Sequence, residues 1–173
     1  MHQDDTHPLR RHMRKQVFTI ICLLLGSFGP ARASELPPTI LLESLSPDLA
    51  NKIVVASVAE CFERGYMVSA AVVGRDGNLL AFLRNPFSGP HTILVSQRKA
   101  YSAATLRART SEMKSRPDLN YAPGILLIVG GVPIESNGKF YGGVAVAGAK
   151  PEVDEICAEA GIDAVKEILD FVE

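Results

Sequence analysis

The sequence predicts an α+β domain in which an antiparallel sheet of about five strands carries packed helices. Three observations predict it. Two tight-turn pairs, Asp76-Gly77 and Asn137-Gly138, each stand between short apolar runs, which is the signature of hairpins. Three longer stretches repeat apolar residues at helical spacing. The links inside each hairpin are too short for the helical crossover that parallel strands need.

The N-terminus reads as a leader. "RRHMRK" is basic, "QVFTIICLLLGSFG" is apolar, and "ARA" before Ser34 has the small-x-small form of a cleavage site. Met13 offers a second start that gives a shorter leader of the same kind. The apolar run is shorter than the roughly 20 residues that span a bilayer. Residues 1–33 are therefore expected to be a signal peptide, with no stable membrane span after cleavage and a periplasmic or secreted product. Residues 34–45 form an N-terminal arm, and 46–173 form one domain.

Of 18 cations and 19 acids, five and two leave with the leader. The remaining 13 cations and 17 acids give a net charge of −4. That balance argues against general nucleic-acid binding. Three of the four histidines also leave, so His91 is the sole imidazole of the mature chain. Cys61 and Cys157 remain, and export makes a disulfide chemically accessible without saying whether the two meet. Paired-cysteine and Cys/His zinc motifs are absent from the sequence.

Within the domain, Ser46 caps a helix that Pro47 and Asp48 open. Ala50, Val54, Val58 and Cys61, joined by Leu49, Ile53 and Phe62, form its apolar face, and Gly65 stops it. "YMVSAAVVG" and "LLAFLR" read as strands on either side of the Asp76-Gly77 turn. "NPFSGP" breaks the second strand. His91 to Arg107 reads as a helix rich in Ala and Ser, and Ala100, Ser102, Ala103 and Ala104 suit close packing on a sheet or another subunit. Residues 108–123 predict an irregular excursion. "GILLIVG" and "GVPIE" are short apolar segments. "FYGGVAVAGA" is a strand whose Gly142 and Gly143 imply a bulge or a close approach by a ligand or another backbone. Pro151 opens the last helix, with Val153, Ile156, Cys157, Ala160, Ala164 and Ile168 expected on one face.

Three stretches, "AAVVGRDGNLLAFLRN", "SQRKAYSAATLRART" and "GGVPIESNGKFYGGVAVAGAKPEVDEICAEAGIDAV", resemble the GlcG/HbpS family, which includes haem-binding and haem-degrading-type proteins and the C-terminal domain of PduO. The resemblance covers about residues 46–172. It implies a five-stranded α/β sandwich, assembly as a homo-oligomer, and haem as cofactor, for storage, sensing or degradation. The chain departs from the family pattern at two loops. "RNPFSGP" stands where the family usually reads like "RDGAP", and Ala147 replaces the serine of "GVSG". The alternative is an accessory protein that binds a different small ligand, a carboxylate or a corrinoid-like molecule.

On the haem reading, His91 is the expected iron ligand, because neutral imidazole is a common axial donor. An exposed bystander or a catalytic base are the other readings of the same residue. Arg98, Lys99, Arg107, Arg109, Lys114 and Arg116 place six cations in 19 residues against Glu112 alone. Lys99, Arg107 and Arg109 are the candidates to clamp propionates. The resemblance adds Thr110 as a haem-contacting position, and Gly142 and Gly143 as a ligand-side feature of the last strand. Tyr101, Tyr121 and Tyr141 are further phenolate or stacking candidates. Asp154, Glu155 and Glu159 suit the positive end of the last helix. GxSxG, HExxH, GxGxxG and Walker motifs are absent, so no catalytic residue is assigned and nucleotide binding finds no support.

Overall fold

The computed structural model describes residues 37–171. The leader assigned to residues 1–33 lies outside them. The chain divides into two units, Met1–Leu41 and Leu42–Glu173, and the described part of the first contains no helix or strand. The second unit holds α1 (Pro47–Glu63), β1 (Ser69–Gly74), β2 (Leu79–Arg84) and α2 (Thr92–Leu106). Two short 3₁₀ helices, Thr110–Ser115 and Pro117–Tyr121, follow. β3 (Gly131–Ser136), β4 (Lys139–Ala147) and α3 (Pro151–Asp170) complete it.

The turns form where the sequence places them. Asp76 Oδ1 accepts from Asn78 N at 3.0 Å, and Gly77 takes φ +83°. Asn137 and Gly138 both have positive φ, +50° and +75°, as the tightest hairpin loops require. At the start of α1, Ser46 Oγ accepts from Leu49 N at 3.3 Å, with Pro47 in the first turn.

The sheet has four antiparallel strands, in the order β2-β1-β4-β3, and not about five. The missing strand is "GILLIVG". At residues 125–127 its backbone groups are satisfied by side chains and a local turn, and it meets a strand only at its last residue, where Gly130 O accepts from Val146 N at 3.2 Å. Ser102 Oγ accepts from Leu126 N at 2.7 Å, and Asn120 Oδ1 accepts from Leu127 N at 3.1 Å. Arg98 donates to Ile125 O at 2.9 Å, and Ile125 N turns back to Ala122 O. An apolar run whose hydrogen bonds end on side chains has no ladder to join.

Alternation along the strands sorts the core into two layers. Ala70, Val72, Val144 and Val146 face α1 and α3. Ala71, Val73 and Ala145 face Ala100 and Ala104 of α2. Of the two packing partners that the sequence allowed for the small-residue face of α2, a sheet or another subunit, the sheet is the one it meets. Gly143 explains how closely α2 sits. A Cβ there would come within 2.5 Å of Ala100 O and 2.8 Å of Ala104 N.

α1 and α3 pack together on the opposite face, and a disulfide joins Cys61 to Cys157, with 5.5 Å between their Cα atoms. The buried face of α3 is Asp154, Cys157, Ala158, Gly161, Val165 and Leu169. Ile156 and Ile168 are 40% and 44% exposed, so this face is turned by about one residue from the predicted one. The partners of Asp154 and Cys157 set that rotation, because each must point inward.

Candidate functional site

The candidate residues lie at opposite ends of α2. The helix has 15 residues, so about 22 Å of axis separates its ends at 1.5 Å per residue.

At the first end, His91 precedes α2 in helical backbone conformation and makes no side-chain cap. Its ring is exposed and folds back over Gly89. Two large apolar side chains near it in sequence are also exposed, Phe87 by 83% and Leu94 by 65%. The loop between β2 and α2 is held from below by three buried hydroxyls. Ser69 Oγ lies 2.7 Å from Thr92 Oγ1 and 3.2 Å from Ser88 Oγ, and Ser88 and Thr92 are 3.1 Å apart.

At the second end, Arg107 stops the helix in the left-handed region at φ +48°. Its guanidinium lies 4.7 Å from the Phe140 ring centroid, a cation–π contact. Arg109 bridges two carboxylates of α3, Glu155 at 3.2 Å and Glu159 more closely. The Glu159 hydrogen bond is the main cause that holds Arg109 above its ordinary pKa. Ser111 Oγ also donates to Glu155, at 3.0 Å. Arg107 and Arg109 line a cleft of about 510 Å³ between β3 and α3, with Val132, Pro133, Ile162 and Leu169 as its apolar part and Glu112, Glu135, Glu159 and Asp163 as its acidic part. This volume falls within the usual range for small-molecule sites.

Four of the sequence candidates belong to the fold. Lys99 is fully buried, and its Nζ donates to Asp154 Oδ2 at 2.9 Å. It passes Gly130, where a side chain would meet Nζ. Burial pushes the Lys99 ammonium below its ordinary pKa and the Asp154 carboxyl above its own, while the pairing opposes both shifts. In the chain by itself Lys99 therefore faces Asp154 and not a propionate. Gly142 and Gly143 face backbone, not ligand. A Cβ on Gly142 would strike Val73 O, and one on Gly143 would strike α2.

Thr110 is likewise buried. It lies across β3, accepting from Gly131 N at 3.0 Å through its hydroxyl. That bond satisfies a backbone donor of the edge strand, and Pro133 two residues later has none. The β3 edge is thus blunted against further strand pairing.

The six-cation run is dispersed in the same way. Arg98 holds the 124–125 backbone, Arg116 pairs with Asp118, and Lys114 is exposed. Of the two cleft arginines, Arg107 has no carboxylate partner among the described residues. Tyr121 is 92% exposed, Tyr101 packs between Gly77 and Gly124, and Tyr141 is buried with its hydroxyl unpartnered. Sequence reasoning took Asp154, Glu155 and Glu159 as dipole complements and missed their partners. The signal was present: Glu155 and Glu159 share one helix face four residues apart, and Lys99 is the one cation on an otherwise small and apolar stripe. No cluster of three metal-ligating carboxylate, thiol or imidazole groups occurs among the described residues.

The fold and cleft define a class: a four-stranded antiparallel sheet clad by one helix on one face and two on the other, with an amphipathic cleft beside its edge strand. The chain belongs to the family of HbpS-like haem degrading proteins, whose profile matches residues 45–163. The protein GlcG of Escherichia coli K12 is 34% identical over 108 residues, 60% of this chain and 81% of GlcG. An uncharacterized 15.0 kDa protein from the dhaT-dhaS intergenic region of Citrobacter freundii is 30% identical over 128 residues, 69% of this chain and 90% of its own. The crystal structure of HbpS superposes with a TM-score of 0.70 at 35% identity, covering 79% of this chain and 99% of HbpS. A double mutant of Streptomyces reticuli HbpS matches with the same TM-score and identity. The PduOC structure, solved as a haem complex, has a TM-score of 0.66 at 20% identity, covering 70% of this chain and 95% of its own, and so shares the fold.

Proposed function

We propose that this protein is an exported haem-binding protein of the HbpS type. The observation that carries the reading is the cleft: an apolar part formed by Val132, Pro133, Ile162 and Leu169 beside the guanidinium of Arg107, which no carboxylate neutralises. Glu112, Glu135, Glu159 and Asp163 line the same cleft, so Arg107 is the group left to meet a carboxylate of the ligand. Membership of the HbpS-like family and 35% identity to HbpS support haem as that ligand. The residues that would hold it are Arg107 on a carboxylate and the apolar part against the ring; His91, expected from the sequence as the iron ligand, lies at the far end of α2 and outside this cleft. Haem supplies iron redox chemistry; this chain contributes enclosure and orientation.

The buried Cys61–Cys157 disulfide supports export, because such bonds persist in oxidising compartments. On this reading the extracytoplasmic protein begins at or near Ser34, as intact-mass measurement would show.

Titration of the purified protein with haemin tests the ligand. A saturable Soret shift, distinct from free haemin and weakened about tenfold by Arg107→Ala (about 1.4 kcal/mol), is expected. A Soret band identical to that of free haemin at every ratio would reject haem and leave a non-haem carboxylate as the ligand class.

A further inference from the structure

The two edges of the sheet are finished differently. In an antiparallel ladder, alternate residues turn both backbone groups to the same neighbour. On β3, Gly130 O accepts from Val146 N, so Gly131 and Pro133 face outward. Thr110 Oγ1 takes the Gly131 N–H, and Pro133 has none to offer. On β2, Asn85 N donates to Val68 O at 2.9 Å, so Leu83 and Ala81 face β1. Phe82 and Arg84 therefore turn their N–H and C=O groups to the open edge, where they have no partner among the described residues. Five of the six residues of β2 are apolar and none is a proline, so this edge lacks the protections that β3 has. Leu79 is 48% exposed, and Leu80, Phe82 and Leu83 are half-buried.

We propose that β2 is a self-pairing edge: it joins β2 of a second copy, antiparallel, about a two-fold axis at Leu83. The register follows from the free groups. Setting Phe82 opposite the second copy's Arg84 brings every free N–H of the two residues onto a free carbonyl. An axis at Phe82 would instead call on Leu80, beside the irregularity in the β1–β2 register. An axis at Arg84 would set two guanidiniums opposite each other and call on Pro86, which has no N–H. With the axis at Leu83, each Arg84 meets an aromatic ring, a favourable pairing of cation and π-face, and the two Leu83 side chains meet on the α1 side.

A second copy is the occupant that fits, because the two free residues complement each other when the strand is reversed. One contact consumes both open edges. The joined sheet then ends on two blunted β3 edges, so the pairing closes at two copies. No residue of β2 lines the cleft, and this surface does not depend on the haem reading.

Light scattering of the purified protein should give the mass of a dimer or of a multiple of it. Phe82→Pro removes an outward N–H and leaves the β1–β2 ladder intact, so it should halve that mass. Two measurements do not rely on that variant. Hydrogen exchange at the Phe82 and Arg84 amides of the wild type should slow by about tenfold or more between dilute and concentrated protein. Leu83→Cys should give a disulfide between two copies at position 83, identified by peptide mass spectrometry. Directly opposed residues of this kind bring their Cα atoms to about 4.5 Å, within disulfide reach. A wild-type monomer at every concentration tested overturns the proposal. So does an oligomer whose Phe82 and Arg84 amides exchange freely and which yields no disulfide at position 83, because its contact then lies elsewhere.

Discussion

Lys99 and Asp154 form an ion pair that water does not reach, their side chains being 0% and 5% exposed. The pair joins α2, on one face of the sheet, to the first turn of α3, on the other. Asp154 Oδ1 is engaged as well, accepting from Ala149 N at 3.0 Å. Removing one partner leaves the other charge buried and uncompensated. Lys99→Met or Asp154→Asn should each cost about 3–5 kcal/mol in urea unfolding, with the double variant Lys99→Met/Asp154→Leu recovering much of it. Single losses below about 1 kcal/mol, the scale of surface pairs, would show that the charges are solvated in the folded protein.

The disulfide closes a loop across a sequence separation of 96 residues. Constraining a loop of that size removes unfolded-state freedom equivalent to about 4–5 kcal/mol in the chain-entropy account. Cys61→Ala/Cys157→Ala should lower stability by about 2–5 kcal/mol in denaturant unfolding. Because both cysteines are fully buried, native protein should resist a mild reductant that rapidly reduces the urea-unfolded form. Equal reduction rates for the two would contradict the burial.

Gly143 sits where α2 meets β4 without a side chain between them. Gly143→Ala would set its methyl 3.2 Å from the Ala103 Cβ and closer still to two backbone atoms, which cannot give way singly. The expected loss is about 3 kcal/mol, at the upper end of ordinary overpacking. Thermal unfolding reads it, and an unchanged midpoint would mean that α2 can lift from the sheet freely.

Asp170 fastens the β3–β4 turn to the end of α3. Its carboxylate accepts from Ser136 and from Lys166, and its backbone carbonyl from Asn137. The Ser136 hydrogen bond, then Lys166, holds its pKa below the ordinary 3.8. A depressed carboxylate stabilises the folded state above the unfolded pKa, and that contribution disappears as pH falls through the folded one. Hydrogen-exchange protection at the 136–139 turn, measured relative to the intrinsic rate at each pH, should therefore fall on acidification below about pH 4 in the wild type. In Asp170→Asn that protection should be low already at neutral pH and change little with acid. Parallel pH profiles for the two proteins would remove Asp170 as the fastener.

The sequence by itself determined the elements that local chemistry dictates. Ser46-Pro47 starts a helix, Asp76-Gly77 and Asn137-Gly138 turn hairpins, and alternation divides Ala70, Val72 from Ala71, Val73, because backbone dihedrals and side-chain period are properties of neighbouring residues. Its three family-like stretches also sufficed to place the chain among HbpS-like proteins. Tertiary structure alone decided which groups those elements consume. "GILLIVG" has strand composition, but Ser102, Asn120 and Arg98, distant or offset in sequence, claim its backbone. Lys99, Thr110, Gly142 and Gly143 have the chemistry of a ligand site, yet their neighbours turn out to be Asp154, Gly131, Val73 and Ala100. Whether a cation meets a ligand or a buried carboxylate depends on pairing across 55 residues, and a local pattern contains no term for a contact that distant.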